Sequence, residues 1–338
     1  MVQGKMNVEI PVVSTGWTAS DLWNTIKVRW SVRRMNYTVA PGLYAVGAPG
    51  TESHVFVTAN FKLTFDLVRR ELAGMNAWLL VLDTRGINVW CAAGKGTFST
   101  DELILRIEKT GLSGRISHRK VIVPQLGAVG ISAHEVKARC GYSVIYGPVR
   151  ATDIPAYVAS GLKASPEMRK VNFSMWDRMK LIPVELANGK HYLWLVPALF
   201  LILSGINRHG YSVDLAYKNG LRSVLVLYIA YLVGCGLTPA LLPWVPFRRF
   251  ALKGLLTGMI TSLILMYFGL LGNNVTEIVS WFLMIGAVSS FTAMNFTGTS
   301  TFTSLSGVQK EMKTALPAQI TMAGLGVILW IISKFIGS

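Results

Sequence analysis

The chain has 338 residues, room for two domains of ordinary size, of which 51% are hydrophobic and 15% charged, with a net charge of +16. That surplus of base is not arranged in runs interleaved with aromatics, and no nucleic-acid motif accompanies it, so nucleic acid is not the expected partner. Attraction to an anionic leaflet, about 1 kcal/mol per well-placed basic side chain, is the simpler reading.

The charge is unevenly placed. Residues 1–190 hold 24 of the 33 Lys+Arg and 14 of the 17 Asp+Glu, whereas residues 191–338 hold nine and three. The first part has the composition of a soluble domain and the second that of a membrane domain. Cys91, Cys140 and Cys235 give no disulfide framework and no CxxC pair, so this chain alone is not expected to build a zinc or iron–sulfur site. Met1 to Ile10 carry no long apolar run, so no secretory signal is expected there.

In chain order, Trp17, Trp23 and Trp30 with Leu22 and Ile26 suggest a short amphipathic helix within residues 1–40, and Pro41-Gly42 marks a turn. Leu43–Val46 and Val55–Thr58 read as short strands. Apolar residues at 61, 65, 68 and 72 then predict a helix closed by Gly74. The run 77–84 reads as a buried strand. Ser99 and Glu102 form a capping-box signature opening a helix that ends at Gly111. Strands at 120–124 and 142–146 and helices near 132–139 and 153–160 follow. Such alternation predicts an α/β layer with a largely parallel sheet. Strand ends at Thr58, Thr84 and Pro124 would deliver loops to one edge, where open α/β sheets bind ligands.

Residues 163–190, with Arg169, Lys170, Arg178, Lys180 and Lys190, read as a basic connector lying on the membrane surface, which divides the chain into domains at 1–162, 163–190 and 191–338. About five spans are expected, near 192–207, 223–242, 254–273, 278–296 and 315–334, since a bilayer core of about 30 Å needs roughly 20 apolar residues. The first is short and contains Pro197. Within these bounds only Lys334 is charged, which weighs against a transporter or proton pump. Basic residues Arg248, Arg249, Lys253, Lys310 and Lys313 fall in loops that would be cytoplasmic with the N-terminal domain inside, against Arg208, Lys218 and Arg222 outside. The expectation is a multi-pass protein of the cytoplasmic membrane with its N-terminal domain in the cytoplasm. The hydroxyl-rich run Thr297–Ser304 reads as local backbone bonding, and Cys235 as packing.

The distinctive stretch is Asn88-Val89-Trp90-Cys91-Ala92-Ala93-Gly94-Lys95. For Cys91 alone a buried thiol is the ordinary reading. The phosphate-loop pattern fails, because Val89 and Gly96 stand where it needs Gly and Ser or Thr, and no GxGxxG is present. His118 and His134 lack the flanks of a Cys/His pair. The Asp-x-His-x-x-Gly motif of His-ligated cobalamin proteins is absent.

The octet resembles the cap-helix signature of HgcA, the family of mercury-methylating corrinoid proteins. Similar runs stand at Val57–Phe61, Leu82–Ile87, Pro124–Ala128 and Gly147–Ala151, and a corrinoid domain followed by five spans is that family's architecture. The resemblance implies a Rossmann-like α/β corrinoid-binding domain, akin to that of the corrinoid iron–sulfur protein of acetyl-CoA metabolism, followed by an all-α transmembrane domain. It further implies a cobalamin-type cofactor with cobalt bound from below by Cys91, and methyl transfer to Hg(II). Implied partners are an HgcB-type, ferredoxin-like iron–sulfur reductant and a methyl-donor protein or methyltetrahydrofolate-linked methyltransferase. Hg(II) is an electrophile, so the methyl would leave as a carbanion or radical, which an anionic donor opposite it favours.

The octet suits such a task physically. Asn88 can serve as N-cap, and Cys91 would lie in a first turn whose N–H groups favour an anionic sulfur. Lys95 would add positive charge on the same face. Ala92, Ala93 and Gly94 would keep the surface low for a flat macrocycle, and Trp90 would wedge the helix against it. Further cofactor contacts are expected from Val89, Thr58, Asn60, Gly96, Thr97, Gln125, Gly127 and Ala128, with turn or capping duty as the alternative for each. A membrane-held corrinoid methyl carrier for another one-carbon acceptor, and a non-enzymatic receptor or transporter with an α/β sensor domain, are the competing readings.

Overall fold

The computed structural model describes residues 10–296 and 305–336. The expectations for Met1–Glu9 and Thr297–Ser304 fall outside the described residues. The chain divides into two compact units, Met1–Val28 with Val32–Asn172, and Arg29–Ser31 with Phe173–Ser338.

The first unit is a six-stranded sheet in the order β1-β2-β4-β3-β5-β6. Its strands are β1 (Val12–Val13), β2 (Gly42–Val46), β3 (Val55–Ala59), β4 (Ala77–Leu82), β5 (Lys120–Val123) and β6 (Ser143–Tyr146). Strands β4, β3, β5 and β6 run parallel, as the α/β alternation predicts. The other edge departs from that: β2 pairs antiparallel to β4, and β1 pairs parallel to β2. The short link 47–54 cannot hold the helical crossover that a parallel neighbour requires.

Every residue of β3 and β4 is buried, because helices cover both faces. On one face α4 (Thr100–Lys109) and α5 (Ala133–Cys140) contribute Leu103, Ile107 and Val136 to a core with Val57, Leu80 and Val121. On the other, α2 (Lys62–Glu71) and α6 (Ile154–Ala159) contribute Phe65, Ile154 and Tyr157 against Phe56, Leu79 and Ile122. Helix α1 (Ala19–Arg29) forms within residues 1–40 as expected, but of the three tryptophans it contains only Trp23, with Trp17 and Trp30 outside its ends. The connection from β3 leads to β4 on one side, while β5 lies on the other. The carboxyl ends of β3 and β5 therefore flank the point where the winding direction changes.

The second unit is helical. Among the described residues, four helices are long and apolar enough to cross a membrane: Val213–Ala240, Phe250–Tyr267, Val275–Asn295 and Gly307–Ile336. The expected first span contains only the 12-residue helix Tyr192–Leu203, interrupted by Pro197. At about 1.5 Å per residue such a helix is shorter than a bilayer core. With Met175–Asn188 it forms a pair bent by 58°, and five spans result only if that pair counts as one. Residues expected to be a surface connector include two short helices, Met175–Met179 and Ile182–Asn188. Arg178 is buried rather than spread on a surface, donating to the carbonyls of Phe173 at 2.8 Å and Ala240 at 3.0 Å.

The helices also carry buried charges that the expected span limits excluded. Glu277 accepts from Arg222 at 2.6 Å and Lys334 at 3.2 Å, Lys253 donates to the Leu242 carbonyl at 2.7 Å, and Glu311 accepts from Ala251 N at 2.6 Å. Arg222, Lys253, Glu277 and Glu311 are helical residues that precede the expected windows, so those windows hold no charge but Lys334.

Candidate functional site

The octet forms the short helix α3 (Val89–Gly94) directly beyond β4. Asn88 is its N-cap, and its side-chain oxygen accepts from Cys91 N at 2.9 Å, so Cys91 stands in the first turn. Lys95 is the C-cap, its N–H bonded to the Cys91 carbonyl at 3.1 Å, and the helix stops because Gly96 turns to φ +77°. Cys91 is half-buried, Lys95 and Gly94 are exposed, and Trp90 is 36% exposed.

Ala92 and Ala93 do not make the outer surface low, as expected of them; both pack into the sheet core with Phe98 and Val89. The Ala92 carbonyl accepts from Thr97 N at 3.0 Å and Phe98 N at 3.2 Å, which folds the chain back under the helix. Small side chains are needed here because of the protein beneath: a Cβ on Gly130 would come 3.1 Å from the Cα of Ala93 and collide with the Phe98 carbonyl.

Two side chains set the loop that delivers α3. Asn60, just beyond β3, accepts through Oδ1 from Thr84 N at 3.1 Å and Gly86 N at 3.0 Å, and donates to Asp83 at 3.3 Å. Glu102 accepts from Asp83 N at 2.8 Å and from Arg106 at 2.7 Å. Ser99 caps α4 as the sequence predicts, accepting from Glu102 N at 3.3 Å. The carboxylate of Glu102 does not return to Ser99; it reaches across to the β4 end. Asn60 is thus spent on the scaffold, and so are the Thr97 hydroxyl, 3.4 Å from the Ala92 carbonyl, and Gly127, where a Cβ would collide with Phe98.

A cavity of about 290 Å³ opens at the carboxyl ends of β3 and β5. Its walls come from Phe56–Thr58, Ile122, Pro124 and Leu126, from Thr64, Leu67 and Val68 of α2, and from Gly147–Ala151 and Ile154; Asn88, Val89 and Trp90 form part of its lining. Of the expected contact residues, Thr58, Asn88, Val89 and Trp90 line it. Cys91, Lys95, Gly96, Gln125 and Ala128 do not. One polar atom of its lining, Thr58 Oγ1, is buried without a hydrogen-bond partner, and so, outside the lining, is Gln125 Oε1. Such atoms call for a ligand or water.

Sequence reasoning missed the 147–151 segment as a wall, although a fourth parallel strand ending at Tyr146 points to the same edge. It also missed Glu102 as the anchor of the β4 end, for which no local signal exists.

Residues 28–158 match the family model of CdhD, the CO dehydrogenase/acetyl-CoA synthase delta subunit. That stretch contains α3, its anchoring loop and all of the cavity walls. The chain is 32% identical over 139 residues to the acetyl-CoA decarbonylase/synthase complex subunit gamma of Archaeoglobus fulgidus, covering 40% of this chain and 29% of that protein. It is 33% identical over 122 residues to the subunit gamma of Methanopyrus kandleri, covering 36% and 26%. To the corrinoid/iron-sulfur protein large subunit of Moorella thermoacetica it is 31% identical over 122 residues, covering 36% and 27%. The chain thus spans less than a third of the length of these relatives. The CdhD-like domain stops short of the helical unit, which begins at Phe173.

Proposed function

We propose that the CdhD-like domain binds a corrinoid and that the chain is a membrane-held methyl carrier. The observation that carries this reading is a conjunction: Cys91 in the first turn of a cap helix, beside a cavity at the sheet's switch point, in a stretch similar to corrinoid proteins. The donor set fits the group. Thr58 Oγ1, at the cavity wall, is a buried hydroxyl oxygen without a hydrogen-bond partner, able to accept from the amide side chains of a corrinoid. Trp90 offers a partly exposed ring at the cavity wall, and Cys91, on the same short helix, would hold the cobalt. When bound, a corrinoid supplies a cobalt that accepts and releases a methyl group.

The chain's own residues then have separable tasks. Asn88 fixes the backbone of Cys91, Asn60 and Glu102 fix the loop before it, and the apolar walls exclude water. The four long apolar helices support a membrane anchor, and the distribution of basic residues supports placing the N-terminal domain in the cytoplasm.

The relatives' names favour an acceptor in acetyl-CoA-type one-carbon metabolism. The octet 88–95 favours Hg(II), and that reading rests on its likeness to the mercury-methylating family alone, as does an external iron–sulfur reductant. The deciding experiment is anaerobic purification of the full chain with a corrinoid. Its visible spectrum and cobalt content are measured first. Transfer of a labelled methyl group is then followed to Hg(II) and to an acetyl-CoA synthase-type acceptor. A chain that takes up no corrinoid would overturn the proposal, and transfer to only one acceptor decides between the two.

A further inference from the structure

Helix α1 has two opposite faces. Asp21, Thr25 and Val28 face inward: Asp21 pairs with Arg69 at 3.0 Å, and Val28, 2% exposed, packs with Phe61 and Leu63. At about 100° per residue, Leu22, Trp23 and Ile26 fall together within about a quarter-turn on the outer side, and Trp30 directly follows the helix's last residue, Arg29. The four are 54%, 60%, 41% and 49% exposed. Val32 and Met35 extend the exposed apolar surface, Lys27 stands beside Trp23 with its ammonium 5.8 Å from the ring, and Arg33 is exposed. A contiguous apolar patch of this kind marks an interaction surface.

We propose that this face of α1 sits in the interfacial layer of an anionic lipid bilayer. Two tryptophans and two branched aliphatics flanked by Lys and Arg are the composition of an in-plane membrane helix, whose indoles favour headgroup depth. The charge of the chain, +16, is complementary to an anionic leaflet. The chain also continues into four helices long and apolar enough to span a membrane, so a bilayer is the surface tethered closest to it. The Asp21–Arg69 pair ties the helix to the sheet domain, and α1 becomes a second, peripheral attachment. This inference rests on the membrane-anchored reading above.

The test uses the full chain reconstituted in phosphatidylcholine vesicles with and without phosphatidylglycerol. The emission of the Trp23→Phe/Trp30→Phe variant is subtracted from that of the wild type, leaving the two indoles. Phe keeps the apolar face, so the variant folds. We expect most of this difference emission to be lost when the acyl chains are brominated, more so with phosphatidylglycerol, and iodide to leave it unchanged. Quenching by iodide but not by brominated lipid places the face in water and overturns the proposal. Quenching by neither means that protein covers the face, and overturns it too. An alkaline wash separates the two readings: a chain that washes off refutes the spanning reading and this one with it, while a retained chain with iodide-quenched indoles refutes only this one.

Discussion

Asn60 holds the loop after β4 with its side-chain amide, its Oδ1 accepting the backbone N–H groups of both Thr84 and Gly86. Thr84 is fully buried and Gly86 sits at φ +72° with Arg85 at φ +56°, so this loop has no alternative partners from solvent and an unusual backbone to maintain. Replacing Asn60 by Leu leaves two buried donors unpaired, at about 1–3 kcal/mol each. We expect a clear fall in melting temperature together with reduced corrinoid uptake. Asn60→Asp retains the acceptor and is milder. A Leu variant with unchanged melting and full cobalt content would refute this anchoring role.

Cys91 separates chemistry from stability. Its sulfur is half-buried and its backbone N–H, not its side chain, is held by Asn88. Cys91→Ala should therefore change stability by about 0.5 kcal/mol or less, while altering the cobalt spectrum and abolishing transfer. Asn88→Ala should do the reverse in part, costing about 1 kcal/mol as a lost cap and loosening rather than removing the ligand. Thermal melts and visible spectra of both variants check the contrast. An unchanged spectrum for Cys91→Ala would exclude the thiol as ligand.

Much of this arrangement was legible in the chain. Alternation of apolar runs with helical periods located the strands and helices around the site, because each buries a face that its own residues define. Asn88 as N-cap and Ser99 as N-cap were legible for the same local reason. What depends on distant partners was not. The antiparallel pairing of β2 with β4 follows from where the loop 47–54 can lead, and the bond from Glu102 to Asp83 N needs the α4–β4 packing. Ala92 and Ala93 read equally well as an outer low surface; their inward roll is set by Phe98 and Gly130. Glu277 and Arg222 stand one residue outside the apolar windows 278–296 and 223–242, so a window reading passes them by and cannot see that they pair.

Gly127 tests whether the cofactor edge or the core demands glycine. A Cβ there collides with the Phe98 ring and comes within 3.1 Å of Val123. Gly127→Ala should destabilise the domain by about 1–3 kcal/mol as overpacking. Pairing it with Phe98→Leu should recover part of the loss. Recovery of melting temperature in the double variant assigns the glycine to packing, and its absence would point back to the cofactor edge.

Acid should release α1 before it unfolds the sheet. Burial raises the Asp21 carboxyl, but hydrogen bonds from the Thr18 backbone and hydroxyl, with the Arg69 guanidinium, outweigh it and bring it from 3.8 to about 2. A carboxyl held below its unfolded value stabilises the fold above that value and loses the contribution as pH falls from 3.8 towards 2. Tyr37 supplies the alkaline counterpart: burial first, then the neighbouring Asp66, push it from 10.0 to about 12, so its contribution is present below 10.0 and fades as pH rises towards 12. Amide-exchange protection factors across 19–30, taken relative to the intrinsic rate at each pH, should fall between pH 4 and pH 2.5 in the wild type, and Asp21→Asn should flatten that response. An identical pH profile in the variant would show that Asp21 does not hold the helix.

In the helical unit, one carboxylate oxygen of Glu277 serves both Arg222 at 2.6 Å and Lys334 at 3.2 Å, joining three helices. The side chains of Glu277 and Lys334 are 8% and 9% exposed, and Lys334 also lies 4.5 Å from the Trp330 ring centroid. Removing the anion leaves two cations facing each other with little water, and breaking a buried pair typically costs about 3–5 kcal/mol. Glu277→Gln should therefore lower the melting temperature in detergent sharply, whereas adding Lys334→Met, which removes one of the two stranded charges, should restore part of it. Methyl transfer by the α/β domain should survive at permissive temperature in both, because none of these residues lies in residues 28–158. Equal destabilisation of the single and double variants would show that the triad is not an energetic unit.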